Sequence, residues 1–571
     1  MIEPVRSEAA IERRRFRALL ILLTLTLTLP FLGWGVPHAT ASDRVKSLAA
    51  DEIVPLGTLA DMHNMFVAPK DDWHLGYPWW HYAVAAAAQV PYLAYLKVTG
   101  SFDEPTGDFP FGLEDPVLSL KMLTLCGRIV SALMAVGIVL MTHTWVGRMF
   151  DEPAGRLAAV FTLLTQGFLY FARVGNVDLP ALFWITGGLV AFAEVVVDRM
   201  TRRRLVRLGV FAGLAMATKD QALAVFLPLA LYLLSPRARA AAKERPESWA
   251  PLFGLVASLF AYAFGSGMFF NPARQIGHVR ALLFAPESVT AAVVYWPGTP
   301  RTPVGLVGLF IEHFHAFGAM MTPPLLWAAI FGAFAEKQKP GRLILWAPLI
   351  MILLMLTWPT GNVVRRYFLP LTPITAAFAA AGIRSLSQWR PWAGRAAVLL
   401  IVLVQAAVAV DLTYAQVRET RDAAAAWIRA NTRAGDVIEF FGHEQKLPPV
   451  GADIVTRRAA GRERWEGEIG HGSEVLEYLE KDGPQFLIAT PDWTSHPGEE
   501  ESRDCPEEVF EALQEGRTSY ALVAHFPTPR LLRGFLERPR LDASSVAPPV
   551  RIFARKTILD RLRPAPPGET K

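Results

Sequence analysis

Long apolar runs recur along most of the chain and are separated by short polar segments rich in arginine and lysine. A helix needs roughly 17–25 mostly apolar residues to cross a bilayer, and most of the runs approach that length. The pattern therefore predicts a polytopic α-helical membrane protein with about eleven transmembrane helices. The predicted spans are Ala18–Val36, Leu118–Trp145, Leu157–Phe171, Ala181–Val197, Leu208–Ala217, Ala222–Leu234, Leu252–Phe270, Val304–Phe334, Leu343–Trp358, Phe368–Ile383 and Ala396–Val410.

The basic clusters between these runs orient the predicted helices. Cytoplasmic loops carry an excess of Lys and Arg, so segments such as "DRMTRRRLVR" and "SPRARAAAKER" are placed inside. This threading puts the N-terminus in the cytoplasm and the C-terminus outside a bacterial cytoplasmic (inner) membrane. The first run is followed by Ala39-Thr40-Ala41, which is compatible with signal-peptide cleavage. Its length favours an uncleaved helix.

After Asp411 the pattern changes to shorter amphipathic and apolar segments. "TRDAAAAWIRANTR" has helical spacing and "AGDVIEFFG" is typical of a following strand. "EVLEYLEKDGPQFLIATPDW" repeats this order, and "SYALVAHFP" and "VRIFARK" indicate further strands. The alternation predicts a small soluble α/β domain. This segment contains no phosphate-binding glycine loop. The sequence therefore favours a binding or positioning role for the domain over a second active site.

These patterns divide the chain into four predicted parts. They are a cytoplasmic N-terminus (1–16), a transmembrane domain (17–410) with a first outer loop (37–116), an outer α/β domain (411–560) and a disordered tail (561–571).

Composition narrows the class of protein further. Hydrophobic residues make up 52% of the 571 residues, as expected for a membrane protein with a soluble remainder. The net charge of +5 does not indicate nucleic-acid binding, because the basic residues lie in the short loops between apolar runs. Only Cys126 and Cys505 are present, which excludes a disulfide framework and leaves a thiol metal site unsupported.

Charged residues from four distant segments are predicted to share the outer side. Arg at an outer boundary breaks the positive-inside bias and suits bidentate recognition of a phosphate or carboxylate. A lysine between apolar half-hairpins is costly unless it meets an anion. The simpler interpretations are that the lysine pairs with a neighbouring aspartate and that the arginines reach lipid headgroups. The residues are Asp51 and Glu52, Asp178, Lys219 and Asp220, and Arg365, Arg366 and Tyr367.

An aromatic stretch in the first outer loop accompanies these charges. Its composition is typical of an interfacial belt, and the residues either anchor a surface helix or line a substrate cavity. Its two histidines have no regular spacing that would indicate a metal site, so metal binding is left open. The candidate cavity residues are Trp73, His74, Tyr77, Trp79, Trp80 and His81, with Tyr82 next to them.

The order of these motifs resembles a known group of enzymes. An outer-loop Asp-Glu precedes "GYPWWHY", "GRIVSALMAVG", "ARVGNVDLP", "LAMATKDQAL" and "RRYFLPLTP". Over roughly Arg13 to Asp411 this resembles the GT-C type polyprenyl-phosphate-sugar glycosyltransferases, the group of protein O-mannosyltransferases and lipid A aminoarabinose transferases (glycosyltransferase family 39-like). The resemblance implies a GT-C-like fold, a sugar donor on a polyprenyl phosphate, and chemistry on the outer face.

The resemblance also implies residue roles. Asp51 matches the acid that takes the proton from the acceptor hydroxyl, Glu52 its motif partner, and Asp178 the second acid of the site. Lys219 matches a basic residue near the donor phosphate. The sequence "RRYFLP" matches an "R-Y-x-x-P" motif, which adds Arg365 and Arg366 as candidates for its arginine and Tyr367 for its tyrosine. Arg366, beside the tyrosine, is the better match.

Elementary chemistry agrees with this assignment. Glycosyl transfer from a phosphate ester needs a base for the incoming hydroxyl and positive charge for the departing phosphate. Direct displacement by the acceptor would invert the anomeric centre. The implied partners are a polyprenyl-phosphate sugar donor, membrane lipids and a lipid, protein or polysaccharide acceptor. No cofactor is certain, and a divalent cation is left open.

Two other functions are kept as alternatives. A transporter or flippase of lipid-linked sugars would place polar residues near the bilayer midplane and often shows repeat symmetry. Here the charges are predicted at one boundary and the two halves do not look alike. A non-catalytic envelope assembly protein would leave Lys219 and the Arg365–Arg366 pair without a role.

Overall fold

The computed structural model describes most of the chain. The described residues are 3–37, 47–49, 52–67, 77–104, 106, 110–235, 250–283, 294–295, 299–300, 302–335, 344, 346–357, 365–441, 447–451, 454–458, 472–490, 505–532 and 546–563. Within them the chain forms two compact units. The first comprises Met1–Gly33, Pro55–Pro91 and Leu125–Ala409, and the second comprises Trp34–Val54, Tyr92–Thr124 and Val410–Lys571. Two segments of the predicted outer loop therefore group with the C-terminal residues.

Up to residue 417, all of the longer secondary-structure elements are helices. Its helices are α1 (Glu3–Thr28), α2 (Gly57–Phe66), α3 (Trp80–Thr99), α4 (Pro116–Met149), α5 (Glu152–Leu164), α6 (Gln166–Phe171), α7 (Asp178–Ala193), α8 (Arg202–Met216), α9 (Leu223–Leu234), α10 (Ala250–Gly265), α11 (Pro272–Leu283), α12 (Pro303–Met321), α13 (Pro323–Ala335), α14 (Trp346–Thr357), α15 (Thr372–Trp389) and α16 (Pro391–Val417). Two-residue strands β1 (Val294–Tyr295) and β2 (Thr299–Pro300) pair between α11 and α12.

Within the described residues, five helices are long and apolar enough to cross a membrane: Pro116–Met149, Asp178–Asp198, Pro303–Met321, Arg366–Trp389 and Pro391–Asn431. Three shorter helices are also apolar: Asp220–Leu234, Ala250–Gly265 and Pro323–Ala335. The predicted polytopic helical class is confirmed by these elements, while the count of eleven spans stays a prediction.

Two predicted spans differ from the helices observed. The first was expected to run to Val36, but α1 ends at Thr28 because Pro30 follows, and the residue before a proline is disfavoured in the α conformation. The eighth, Val304–Phe334, is two helices that break at Thr322, where φ is +66° and two prolines follow.

Two buried arginines bind the end of the first helix. The Nε and Nη2 atoms of Arg173 donate to the Leu27 carbonyl at 3.0 and 2.8 Å, and its guanidinium lies 4.3 Å from the Phe31 ring centroid. Arg128 Nη1 donates to the Leu32 carbonyl at 2.6 Å. Cations there complement the free carbonyls and the negative end of the helix dipole. The sequence analysis did not assign this role.

Helices α8 and α10 approach each other very closely. A Cβ placed on Gly209 would lie 2.0 Å from the Gly254 carbonyl oxygen, and one on Gly213 would lie 2.4 Å from the Ser258 carbonyl oxygen. Glycines spaced four apart on one helix face permit such backbone contact between membrane helices. Helix α8 ends at Met216, three residues before Lys219.

The C-terminal region forms an α/β domain, as predicted, with helices on both faces of one sheet. Its elements are α17 (Thr420–Asn431), β3 (Val437–Phe441), β4 (Val455–Arg458), α18 (Gly472–Lys481), β5 (Phe486–Ala489), α19 (Glu507–Gln514), β6 (Tyr520–Phe526) and β7 (Val550–Arg555). The strand order is β4-β3-β5-β7-β6, with the first three parallel and the last two antiparallel to their neighbours.

Side chains alternate between the two faces of this sheet, so each face buries its own core. One core packs α17, through Trp427 and Ile428, against residues such as Ile488. The other packs α18 and α19 against residues such as Leu487 and Phe553. Arg561 Nη2 donates to both carboxylate oxygens of Asp436 at 2.7 and 2.8 Å, and the predicted boundary of the tail at residue 561 stays a prediction. Residues 564–571 lie outside the described part.

Candidate functional site

Asp178 is placed by a local turn at the start of α7. The Asn176 side-chain oxygen accepts from the Asp178 backbone N–H at 3.1 Å, and Asn176 Nδ2 donates to Asp178 Oδ2 at 3.1 Å. Asparagine favours such a turn because its short side chain can bond to the backbone two residues on. One oxygen of the carboxylate is thus held by Asn176, which leaves the other to a second partner.

That partner is Lys219, which lies in the break between α8 and α9. The helix ends at Met216, and Lys219 has an extended backbone (φ −158°, ψ 122°) before the 3₁₀ turn Asp220–Ala222. Its ammonium donates to Asp178 Oδ1 in a short ion pair. The side chains are only 4% and 2% exposed, so the pair is shielded from water. The ion pair brings Asp178 and Lys219 into one site. Their predicted roles, as the second acid and as a basic residue near the donor phosphate, stay predictions.

Two tyrosine rings face the same ammonium. Lys219 Nζ lies 4.9 Å from the Tyr367 ring centroid and 5.8 Å from that of Tyr77. The guanidinium of Arg366 lies 5.7 Å from the Tyr367 ring. A cation near an aromatic face is attracted by the electrons of the ring. Predicted site residues from three other segments of the chain therefore meet around Lys219 and the Tyr367 ring: Tyr77, Asp178 and the adjacent pair Arg366 and Tyr367.

This arrangement is suited to binding an anion. Lys219 is a compact ammonium with three donors, and Arg366 presents a planar fork that matches phosphate. In a site of low dielectric such cations interact strongly with developing negative charge. The 3₁₀ segment Arg365–Leu371 packs against α7, which begins at Asp178. The chemistry available is stabilisation of a phosphate or a similar leaving group.

A set of buried polar residues beside this site was missed by the sequence analysis. Asn271, Arg274, Gln275 and His278 are each at most 4% exposed and lie on or just before α11. Their spacing of three, four and seven residues, visible in "NPARQIGHVR", places them on one helix face. That polar periodicity was the available signal.

One member of this face meets a buried acid. Arg274 Nη2 lies 3.6 Å from Asp61 Oδ1, and both side chains are nearly inaccessible to water. Burial raises the pKa of the Asp61 carboxyl to about 7, and the charge of Arg274 opposes the increase.

Several predicted site residues lie outside this cluster around Lys219. Asp51, Trp73 and His74 lie outside the described residues, as does the side chain of Arg365. Glu52 is half-buried in the second unit, where its backbone N–H bonds the Ala49 carbonyl at 3.4 Å. Among the described residues, no group of three or more His, Cys, Asp or Glu side chains could hold a metal ion.

The aromatic stretch packs into the first unit. Trp79 stacks on Phe270 with ring centroids 5.8 Å apart, and Trp80 lies 6.2 Å from the Trp184 ring. His81 is buried. Only Tyr77 among the described members of the stretch faces Lys219. The substrate-cavity role of Trp79, Trp80 and His81 stays a prediction.

Comparison with known families adds a second line of evidence. Residues 122–264 match the family described as dolichyl-phosphate-mannose-protein mannosyltransferase. Over this stretch the chain is similar to that family. The matched residues include Asp178 and Lys219, and the resemblance predicted from the sequence is confirmed. The family match supports a membrane glycosyltransferase that uses a polyprenyl-phosphate-linked donor.

Solved structures give weaker similarities. ArnT from Cupriavidus metallidurans bound to undecaprenyl phosphate has a TM-score of 0.44 at 13% identity, over 96% of this chain and 99% of that one. The oligosaccharyltransferase AglB from Archaeoglobus fulgidus, in complex with an inhibitory peptide and a dolichol-phosphate, has a TM-score of 0.42 at 11% identity, over 95% and 88%. No curated protein matches the chain. Identities this low assign no residue role here.

Proposed function

We propose that the protein transfers a sugar from a polyprenyl-phosphate donor to a hydroxyl acceptor on the outer face of the cytoplasmic membrane, with inversion at the anomeric carbon. Asp51 is the general base and Glu52 supports it. The observation that carries the proposal is the shielded Lys219–Asp178 pair beneath the Tyr367 ring, which Arg366 also faces. The family match, whose description names a lipid-phosphate sugar donor, supports the same chemistry.

In this proposal Lys219 and Arg366 hold the donor phosphate, with Arg365 beside them. Breaking the bond between sugar and phosphate leaves an additional negative charge on the phosphate. Preorganised cations stabilise that charge without further reorganisation, and this is where their effect on the rate is largest. Tyr367 and Tyr77 limit the positions that the ammonium can adopt, since both rings face it.

Asp178 serves the proposed site through Lys219. With one oxygen held by Asn176 and the other by the ammonium, the carboxylate directs the lysine side chain. The acceptor is a lipid, protein or polysaccharide hydroxyl. Its proton goes to Asp51 as the oxygen attacks the anomeric carbon, and the polyprenyl phosphate departs as the anion.

The test is transfer by purified protein supplied with radiolabelled polyprenyl-phosphate sugars and membrane acceptors. Asp51→Asn is expected to lose activity by about 100-fold or more, as is usual when a general base is removed. Glu52→Gln is the matched control, since it removes the neighbouring carboxylate, and a smaller loss is expected. Wild-type activity in Asp51→Asn would contradict the assignment of the base.

Two further readouts test the remaining parts of the proposal. NMR of the product should show the anomeric configuration opposite to that of the donor, and retention would exclude direct displacement. Movement of donor across vesicles without cleavage of the sugar–phosphate bond would favour the transporter alternative instead.

A further inference from the structure

Helix α11 buries a polar face that the proposed chemistry does not yet use. Burying polar side chains costs free energy unless they are paired, so each pairing indicates where the helix must lie. Arg274, Gln275 and His278 project from about one turn of α11. Each contacts a different element of the first unit, and two of the contacts lead to the neighbours of Lys219.

The first of these contacts leads to Tyr77. Arg274 Nη2 donates to the Tyr77 carbonyl at 3.4 Å while it also faces Asp61. The carbonyl belongs to the residue whose ring lies 5.8 Å from the Lys219 ammonium. Asp61 therefore holds Arg274, and Arg274 holds the backbone that carries one of the two rings at Lys219.

The second contact leads to Asp220. His278 Nε2 lies 3.1 Å from Asp220 Oδ2, and the imidazole donates because an ionised carboxylate only accepts. Asp220 directly follows Lys219 and begins the 3₁₀ turn Asp220–Ala222. The His278 side chain is 1% exposed and that of Asp220 is 29% exposed, so the imidazole is shielded from water while the carboxylate is partly open to it.

We propose, on the basis of the function proposed above, that α11 positions Lys219 for the donor phosphate, with Arg274 and His278 as positioning residues that hold two neighbours of Lys219, Tyr77 and Asp220. Lysine has a flexible four-carbon stem, so its ammonium alone does not define a position. Transfer depends on geometry held to a fraction of an ångström. A single helix that contacts both Tyr77 and Asp220 supplies that constraint.

His278 allows a sharp test, because two conservative replacements differ only in reach. The Gln side-chain nitrogen reaches the position of His Nε2, whereas that of Asn stops near Nδ1. Gln275→Leu is the matched control: it lies on the same face, is equally buried, and loses a 2.8 Å bond to the Tyr262 hydroxyl rather than a bond to Tyr77 or Asp220. The probe is undecaprenyl phosphate in detergent micelles. Its binding to the protein is measured by the change in tryptophan fluorescence.

The expected result is a Kd about tenfold higher for His278→Asn, as for the loss of one charge-assisted hydrogen bond. His278→Gln should stay within about threefold of wild type, and Gln275→Leu should bind as wild type does. Thermal unfolding in the same detergent reports folding. If His278→Asn does not fold, Asp220→Asn removes the acceptor charge from the other side and is expected to weaken binding equally.

Three outcomes would overturn the inference. Unchanged binding by His278→Asn and Asp220→Asn would show that the contact does not position the site. Equal weakening in Gln275→Leu would mean that α11 is only a scaffold. Wild-type protein that neither binds the probe nor transfers sugar would remove the proposed function as well, so the two failures are distinguishable.

Discussion

Lys219 and Asp178 form an ion pair across 41 residues of sequence, and both side chains are almost completely buried. Such pairs contribute little to stability compared with apolar side chains of the same volume, so a buried pair is commonly kept for another reason. Here the Lys219 ammonium also faces the Tyr367 ring, and the Arg366 guanidinium faces the same ring. Under the proposed function this ammonium and Arg366 face the donor phosphate.

Removing one partner of the pair should destabilise the protein more than removing both. Lys219→Met leaves the Asp178 carboxylate buried without its cation, and breaking a buried pair in this way costs about 3–5 kcal/mol. Lys219→Met combined with Asp178→Asn should recover most of that loss in thermal unfolding, while neither variant transfers sugar. A single variant as stable as wild type would contradict the pairing.

The Tyr367 ring should matter through its face, since the contact seen is between the ring and the Lys219 ammonium. Tyr367→Phe keeps the aromatic face and should retain activity, whereas Tyr367→Leu removes a cation–π contact of about 0.5–2 kcal/mol. The donor KM of the leucine variant should rise by about 2- to 30-fold in the transfer assay. If the phenylalanine variant loses as much activity, the hydroxyl is the functional group.

Asp61 should make stability depend on pH. Its folded pKa of about 7 lies above the ordinary value of 3.8, so the folded state holds a proton that the unfolded state releases. The resulting stabilisation is complete below about pH 4 and is lost as the pH rises to about 7. Thermal unfolding of Asp61→Asn, measured from pH 4 to 8, should lack this decline. Parallel profiles for the variant and wild type would contradict the raised pKa.

The close contact of α8 and α10 predicts a difference between two glycines. Gly209→Ala places a methyl group 2.0 Å from the Gly254 carbonyl oxygen, so the helices must move apart. Its melting temperature should fall by several degrees, as for a loss of about 1–3 kcal/mol from overpacking. Gly127→Ala, in α4, meets no atom within 4 Å and should be neutral or slightly stabilising. Equal effects would contradict the packing.

A buried carboxylate organises the second unit. Glu419 accepts from Trp34 Nε1 at 3.0 Å, from Arg421 Nε at 2.8 Å and from the Ala547 backbone N–H at 3.2 Å. Glu419→Ala leaves the guanidinium of Arg421, which is fully buried, without its carboxylate, and should cost about 3–5 kcal/mol. Limited proteolysis of the full chain should then cut the C-terminal region faster.

The control for this prediction is an exposed ion pair in the same region. Glu477 and Lys481 are 65% and 69% exposed, and water screens pairs of this kind. Glu477→Gln should therefore leave the rate of proteolysis unchanged. Equal acceleration in both variants would show that Glu419 has no special role.

The C-terminal α/β domain illustrates what the local pattern can predict. The helical spacing of "TRDAAAAWIRANTR" and the short apolar segments that follow correspond to α17, β3, β5, β6 and β7. Amphipathic periodicity records which face is buried, and this signal is local. The same signal was insufficient where prolines interrupt an apolar run, as at Thr322, because hydropathy alone does not register a backbone break.

The sequence by itself determined the membrane-helical class, the soluble α/β region and the residue types from which a phosphate site could be built. The tertiary structure decided which of those residues meet. Lys219 reaches Asp178 because α8 packs against α7 and Lys219 follows α8 with an extended backbone. The two rings reach the same ammonium from a segment 142 residues before Lys219 and a segment 148 residues after it. Contacts of that separation depend on how the helices pack, which no local period encodes.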